Sequence, residues 1–314
     1  MGSQTPLRLP VIDFSKLEPK PGTPEWELVK SQVHQALQEF GCFEALFDKV
    51  TFELRTALFK KLEELFDLPI QTKLRNSSEK PYHGYVGQYP MVPLYESMGI
   101  EHATIPEKTE DFSNLLWPEG NPSFHKTIQS YSEQLSGLDL MVRKMVLESL
   151  GVDKYYDEHK ESTNYLLRVM KYKGPQTAEK KLGLNSHTDK NIVTVLYQNQ
   201  VDGLEVQTKD GEWIDVKPSP ESFIVMIGDS FYAWTNGRLH SAYHRVMMRG
   251  EQARYSAGLF SIPKEGYMIK APEELVDDEH PLLFKPFDHF EFLGFYYSEA
   301  GQKAQSALKT YCGI

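Results

Sequence analysis

His187-Thr188-Asp189 sets an imidazole and a carboxylate two residues apart. In extended backbone, side chains at i and i+2 share a face, so both groups can point at one ion. Farther along, Asn236-Gly237-Arg238-Leu239-His240-Ser241-Ala242-Tyr243-His244-Arg245-Val246 supplies a turn and two more histidines, His240 and His244. Two imidazoles and one carboxylate on one face of an octahedral ion leave three positions open. That suits an iron centre that must take a bidentate cosubstrate and dioxygen together. A lone His-x-Asp more often flanks a turn than binds metal, and the downstream histidines shift that balance. On a regular strand His240 and His244 share a face, so residue type alone does not choose between them.

Arg254-Tyr255-Ser256 places a guanidinium and a hydroxyl on one strand face. The pair is a ready clamp for a carboxylate, because Arg offers bidentate hydrogen bonds and Ser adds a donor. The plainer alternative is a surface Arg near a core Ser. A loop of odd length centred on Gly250 predicts a hairpin in which His244 faces Ser256 and Val246 faces Arg254. Metal and clamp would then sit side by side.

Positioning such groups needs a rigid frame, and 314 residues with 40% apolar, 25% charged and 12% aromatic content can bury a large core. Leu9 to Phe14 reads as a strand. Thr23-Pro24 opens a helix whose apolar stripe is Trp26, Val29, Val33, Leu37 and Phe40, with Gly41 as its stop. A second helix covers roughly 51–66. The Gly-, Pro- and Tyr-rich stretch from Lys80 to Pro106 reads as a long ordered loop over a working surface, where substrate contacts are expected. Asn121-Pro122 caps a long helix with Phe124, Ile128, Tyr131, Leu135, Leu138, Val142 and Met145 on one face and Gly151 after it. Short strands are then expected at 165–172, 192–198, 204–207, 213–216 and 223–227, with Asp210-Gly211 as a hairpin turn. After Pro263 come loops and a terminal helix. The fold class expected is mixed α/β, with a double-stranded β-helix (jelly roll) core and flanking helices. An N-terminal α/β region, 1–120, is expected to pack on the core, 121–314, as one compact unit.

Acidic residues outnumber basic ones by 44 to 34, a formal charge of −10 with no long basic run. Such a surface repels nucleic acid and anionic membranes, so a small-molecule partner is expected and neither of those. Cys42 and Cys312 form neither a disulfide framework nor a metal knuckle. The residues up to Pro10 lack the segments of a secretory leader, and Pro6 departs from a myristoylation signal. A reduced, cytoplasmic monomer is the expectation. Neither a GxGxxG turn nor a P-loop is present.

The set His187-x-Asp189, Asn236-Gly237-Arg238, His244-Arg245-Val246 and Arg254-x-Ser256 resembles the plant 2-oxoglutarate and iron(II)-dependent dioxygenases. Leu9-Pro10-Val11-Ile12-Asp13 and Phe66-Asp67-Leu68-Pro69 extend the likeness over nearly the whole chain. The resemblance implies Fe(II) held by His187, Asp189 and His244, with His240 as a wall or supporting residue. It implies 2-oxoglutarate anchored by Arg254, Ser256 and Tyr172, O2 as oxidant, and admits ascorbate as a reductant. The implied reaction releases succinate and CO2 and most often hydroxylates an unactivated C–H bond. Two departures stand out. Met170-Lys171-Tyr172-Lys173 replaces the family's Asn-Tyr-Tyr-Pro, and Leu46-Phe47-Asp48 replaces its Asn-His-Gly. With Lys190 after the His-x-Asp and Ala271-Pro272-Glu273-Glu274-Leu275-Val276 late in the chain, these features resemble the branch holding glucosinolate side-chain, steroidal-alkaloid and auxin dioxygenases.

For the substrate wall, Tyr85, Tyr95, Phe112, Tyr232, Phe260 and Phe295 are candidates, although each aromatic could equally be core. Phe260 is preferred because it recurs on the Arg254 face; Phe112 and Phe295 follow. The aromatic abundance suggests a largely apolar small molecule. Competing readings are a zinc hydrolase, which would have no use for the Arg254-x-Ser256 clamp, an oxidase of the same fold that does not spend 2-oxoglutarate, and a silent binding module.

Overall fold

The computed structural model describes residues 7–15 and 20–313. The leader and myristoylation readings of Met1 to Pro6 lie outside the described residues.

Eleven strands form two facing sheets. They are β1 (Val11–Asp13), β2 (Cys42–Leu46), β3 (Tyr95–Glu101), β4 (Thr163–Tyr172), β5 (Thr177–His187), β6 (Val193–Gln198), β7 (Leu204–Gln207), β8 (Trp213–Asp215), β9 (Ser222–Ile227), β10 (His244–Gly250) and β11 (Arg254–Pro263). The larger sheet runs β1-β2-β9-β6-β11-β4-β3 and the smaller β5-β10-β7-β8. Strand periodicity explains the layering. On β4, Leu167 and Val169 point outward to the helices, whereas Met170 and Tyr172 point inward to Val246, Met248 and Leu204 of the smaller sheet. The fold is thus a jelly-roll core with helices on its outer face.

The flanking helices are α1 (Pro24–Glu39), α2 (Phe52–Phe66), the single turn α3 (Ile70–Lys73), α4 (Pro106–Leu116), α5 (Pro122–Ser149), α6 (Tyr156–Glu161), α7 (Asp229–Trp234), α8 (His289–Tyr297), α9 (Glu299–Lys303) and α10 (Ala307–Cys312). Thr23, Thr51 and Asn121 cap α1, α2 and α5 by accepting from the amides of Trp26, Leu54 and Phe124. The stripe from Phe124 to Met145 on α5 is fully buried, and Tyr131 donates its hydroxyl to Ala257 O of β11 at 3.3 Å. This contact locks the long helix to the strand that carries Arg254. The N-terminal 120 residues are woven into the same frame, since β2 pairs with β9 at one side of the larger sheet and β3 with β4 at its other edge.

Three elements differ from expectation. The stretch 80–106 is not all loop: Tyr95–Glu101 pairs with β4 as an edge strand. β5, with five consecutive exposed residues, is a strand only because it pairs with β10. The hairpin predicted around Gly250 does not form. β10 pairs with β5 and β7 in the smaller sheet, while β11 pairs with β4 and β6 in the larger one. Gly250, at φ +74°, sits where the chain leaves one sheet for the other. Arg254 therefore faces Tyr172, and Ser256 faces Met170 and Gln198.

Candidate active site

His187 ends β5 and His244 begins β10, and the two are paired residues of the smaller sheet. Asp189 follows in the turn after β5. His187 Nε2 lies 3.6 Å and His244 Nε2 lies 3.8 Å from Asp189 Oδ1. Among the described residues this is the one cluster whose ligand atoms all fall within 4.8 Å of each other. His240 does not join it. Its backbone N–H donates to Leu37 O at the end of α1, and its carbonyl presses so close to Gly41 that a Cβ there would lie 2.2 Å from it. It precedes β10, so the regular strand that would have put both histidines on one face is absent.

The surroundings prepare this trio for a cation. His187 Nδ1 meets Asn185 O at 2.8 Å and His244 Nδ1 meets Ala242 O at 3.0 Å. A carbonyl only accepts, so each proton sits on Nδ1 and each Nε2 lone pair is free for an ion. Thr194 donates to Asp189 Oδ2 at 2.6 Å, which leaves Oδ1 turned toward the histidines. Burial, followed by the neighbouring His244, pushes His187 down to about 4, so its imidazole is neutral at pH 7. Burial alone would raise the Asp189 carboxyl, but His244, His187 and the Thr194 hydrogen bond leave it below its ordinary value. Two imidazoles that present Nε2 and a carboxylate, all nitrogen or oxygen donors, fit iron(II).

Arg254 and Ser256 lie on β11 and are wholly buried. The guanidinium donates to Gln198 Oε1 at 3.1 and 2.5 Å and to Ser256 Oγ at 3.4 Å, and it lies 5.0 Å from the Tyr172 ring centre. Among the described residues it has no carboxylate partner. Space is made for it by Gly203, where a Cβ would come within 3.1 Å of Arg254 Cδ. The Tyr172 hydroxyl approaches Met170 Sδ at 3.8 Å, and burial raises this phenol so that it remains an O–H donor. A buried cation with only neutral partners is a cradle for an anion.

Comparison with known proteins agrees with this chemistry. Residues 152–263 match the 2OG-Fe(II) oxygenase superfamily, and residues 9–118 match the family of the non-haem dioxygenase in morphine synthesis N-terminal region. The chain is 56% identical to the Arabidopsis thaliana protein named "Probable 2-oxoglutarate-dependent dioxygenase AOP1.2", over 98% of this chain and 97% of that one. It belongs to the 2OG-Fe(II) oxygenase superfamily. Among solved structures, the rice dioxygenase for auxin oxidation is 31% identical, covering 96% of this chain and 99% of that one with a TM-score of 0.82. JOX2, solved with 2OG, Fe and JA, is 26% identical, covering 98% and 90% with a TM-score of 0.80. The chain is therefore a 2-oxoglutarate-dependent dioxygenase, and the zinc hydrolase reading falls away.

In this oxygenase, a cavity of about 480 Å³ opens beside His187 and Asp189. That volume suits a small molecule. Phe260 and Tyr95 line it. Phe112 does not: it lies on α4 in the core, stacked on Phe124 at 5.9 Å. Phe295 also points elsewhere, packing on Tyr311 at 5.3 Å, while its neighbours Tyr296 and Tyr297 on α8 face the cavity. Tyr232 contacts Phe284, and Tyr85 hydrogen-bonds Glu96. The 80s segment supplies Tyr82, His83, Val86 and Tyr89 to the wall, as its composition suggests.

Sequence reasoning passed over Gln198, Thr194 and Arg168. Only the last carried a signal: Arg168 interrupts an apolar strand on its inward face, between Leu166 and Met170. The Asn236-Gly237-Arg238 motif serves the frame. Asn236 Nδ2 donates to Leu275 O at 3.0 Å and Asn236 Oδ1 accepts from Leu283 N at 2.9 Å, pinning the segment that leads to α8.

Proposed function

We propose that His187, Asp189 and His244 hold the iron, that Arg254, Ser256 and Tyr172 anchor the far carboxylate of 2-oxoglutarate, and that the enzyme hydroxylates a small, largely apolar specialised metabolite or hormone. The observation that carries this reading is the buried Arg254 charge, which has no counter-ion among the described residues and lies on the sheet facing the one that carries His187 and His244. When bound, iron(II) with 2-oxoglutarate supplies the oxidising chemistry, in which O2 is consumed, succinate and CO2 leave, and one oxygen atom enters a C–H bond of the substrate.

The protein's own groups orient and protect. The Asn185 and Ala242 carbonyls fix the imidazole tautomers, and Thr194 fixes the rotation of the Asp189 carboxylate. Gln198 holds the Arg254 fork in plane, so that its remaining N–H groups, the Ser256 hydroxyl and the Tyr172 hydroxyl can converge on one carboxylate. Phe260 and Tyr296 give the cavity apolar walls that favour a hydrocarbon body over water. Every group named comes from one chain, so a monomer carries a complete site. Two buried, unpaired cysteines suit a reducing cytoplasm.

The assignment of ligands is tested by adding 2-oxoglutarate to the anaerobic Fe(II)-loaded protein and following the visible charge-transfer band. His244→Ala is expected to lose the band, and His240→Ala to keep it. The reverse pattern would move the third ligand to His240.

A further inference from the structure

A second buried arginine faces the cavity. Arg168 stands on β4 between Leu166 and Met170, directly opposite Gly258 of β11, and is 5% exposed. Its Nη2 donates to the Tyr95 hydroxyl at 3.4 Å and to the Ser97 hydroxyl. Its Nη1 is buried and has no hydrogen-bond partner. No carboxylate of the described residues pairs with it. The Tyr82 ring centre lies 5.1 Å from the guanidinium carbon, and Tyr82 in turn stacks on Tyr297 of α8 at 5.3 Å.

The other charged groups of the cavity are accounted for. Lys190 is paired with Asp229 at 2.9 Å, and Asp189 belongs to the metal cluster. Burial pushes His83 and His289 down to about 4, so both are neutral near pH 7. Arg168 is thus a cavity cation whose neighbours are hydroxyls and rings. Leaving a buried charged donor unpaired is costly, and such a group keeps its place where a ligand completes it.

Its position separates it from the cosubstrate clamp. Arg168 is four residues along β4 from Tyr172, which faces Arg254, and four residues of strand span about 13 Å. The pair between them is Met170 and Ser256; opposite Arg168 itself, Gly258 carries no side chain and the Phe260 ring lies over it, since a Cβ there would be 2.9 Å from Phe260 Cε2. A charged head at Arg168 would therefore adjoin an apolar wall that continues toward His187 and Asp189.

We propose that Arg168 binds the carboxylate of the organic substrate, so that this enzyme oxidises small organic acids with an apolar, ring-sized body. The proposal rests on the reading of Arg254 as the anchor of 2-oxoglutarate. Arg168 orients and selects; the hydrocarbon end of the acid is what reaches the metal cluster.

The test uses the Fe(II)- and 2-oxoglutarate-loaded protein without oxygen, titrated with a panel of aryl- and alkyl-alkanoic acids and their matched primary amides. Binding is read from the perturbed charge-transfer band and from calorimetry. At least one acid is expected to bind at least about tenfold more tightly than its amide, the effect of one charge-assisted hydrogen bond. Arg168→Gln should remove that preference while leaving 2-oxoglutarate affinity within about twofold of wild type, since only the second anion site is altered. The proposal is overturned if no acid binds, if acids and amides bind alike to the wild type, or if Arg168→Gln keeps the preference. It is also overturned if Arg168→Gln weakens 2-oxoglutarate as Arg254→Leu does, which would put Arg168 in the cosubstrate site. The acid-against-amide comparison needs no variant, so a poorly folded Arg168→Gln leaves it decisive. A wild-type protein that fails to give the charge-transfer band at all would instead count against the Arg254 reading.

Discussion

Arg143 on α5 and Arg254 on β11 are buried to the same degree, yet they are satisfied in opposite ways. Arg143 pairs with Asp139 at 2.7 Å one helical turn away and also donates to His159 O, Thr163 Oγ1 and Tyr165 Oη. Among the described residues Arg254 meets only neutral groups, Gln198, Ser256 and Tyr172. Burial pulls both guanidinium groups down. For Arg143 the Asp139 and Tyr165 contacts more than offset it, whereas for Arg254 burial prevails and the pKa ends low. A buried charge that carries its counter-ion belongs to the scaffold. One that lacks it is held for a ligand, at a standing cost to the empty protein.

Substitutions should separate the two regions. Asp189→Ala is expected to have the largest effect, abolishing succinate release while leaving the thermal midpoint unchanged or raised; succinate at the wild-type level would remove Asp189 from the metal. On the scaffold side, Asp139→Ala strands the Arg143 charge and should cost about 3–5 kcal/mol in equilibrium unfolding, with 2-oxoglutarate affinity retained in the folded fraction. An effect below that range would mean that the Arg143 network is not a true counterpart of the clamp.

Arg254→Leu should invert that outcome. Stability without ligand is expected to hold or rise, because an uncompensated charge is removed, while the KM for 2-oxoglutarate increases by about one to two orders of magnitude, equivalent to roughly 1.5–3 kcal/mol. Saturating 2-oxoglutarate at about a hundred times its Kd should stabilise the wild type by about 2.7 kcal/mol and this variant hardly at all. An unchanged KM would end the comparison.

The smallest effect concerns acid. His159 lies against Arg143 and Trp234, its ring centre 4.3 Å from the tryptophan, with neither ring nitrogen hydrogen-bonded. Burial, then Arg143, lowers its pKa from 6.5 to about 3. The unfolded chain therefore takes up a proton at pH values where the folded one does not. The stability from His159 is full above about pH 6.5 and is lost as the pH falls from there toward 3. His159→Leu should give a shallower fall of the melting temperature between pH 6.5 and 4.5, and an identical slope would exclude His159 as a source of acid lability.

How far these features could be read in advance depends on the range of the interactions that create them. The capped helices α1, α2 and α5 and the β6, β7 and β9 strands follow from local signals: a side-chain oxygen before a proline or an apolar stripe, or a β-branched run between turns. The pairing of Arg254 with Ser256 is equally local, because a separation of two residues in a strand brings the groups to one face, and that of His187 with Asp189 is local too, although Asp189 reaches it from the turn that follows β5. The sequence by itself therefore determined the kind of chemistry. The tertiary structure decided which groups share it. It brought His244 rather than His240 to Asp189 because Leu37 of the distant helix α1 and Gly41 just beyond that helix hold the His240 backbone aside. It made a strand of the polar β5 by pairing it with β10, and it placed β10 and β11 in opposite sheets, so that His244 and Arg254 face each other from two sheets instead of lying side by side along a hairpin. And among the described residues it left Arg254 and Arg168 without a carboxylate partner of the kind Arg143 has. Arg143 has its partner Asp139 four residues away on the same helix, a spacing already visible in the sequence, whereas only the folded sheets show that no carboxylate of the described residues pairs with Arg254 or Arg168.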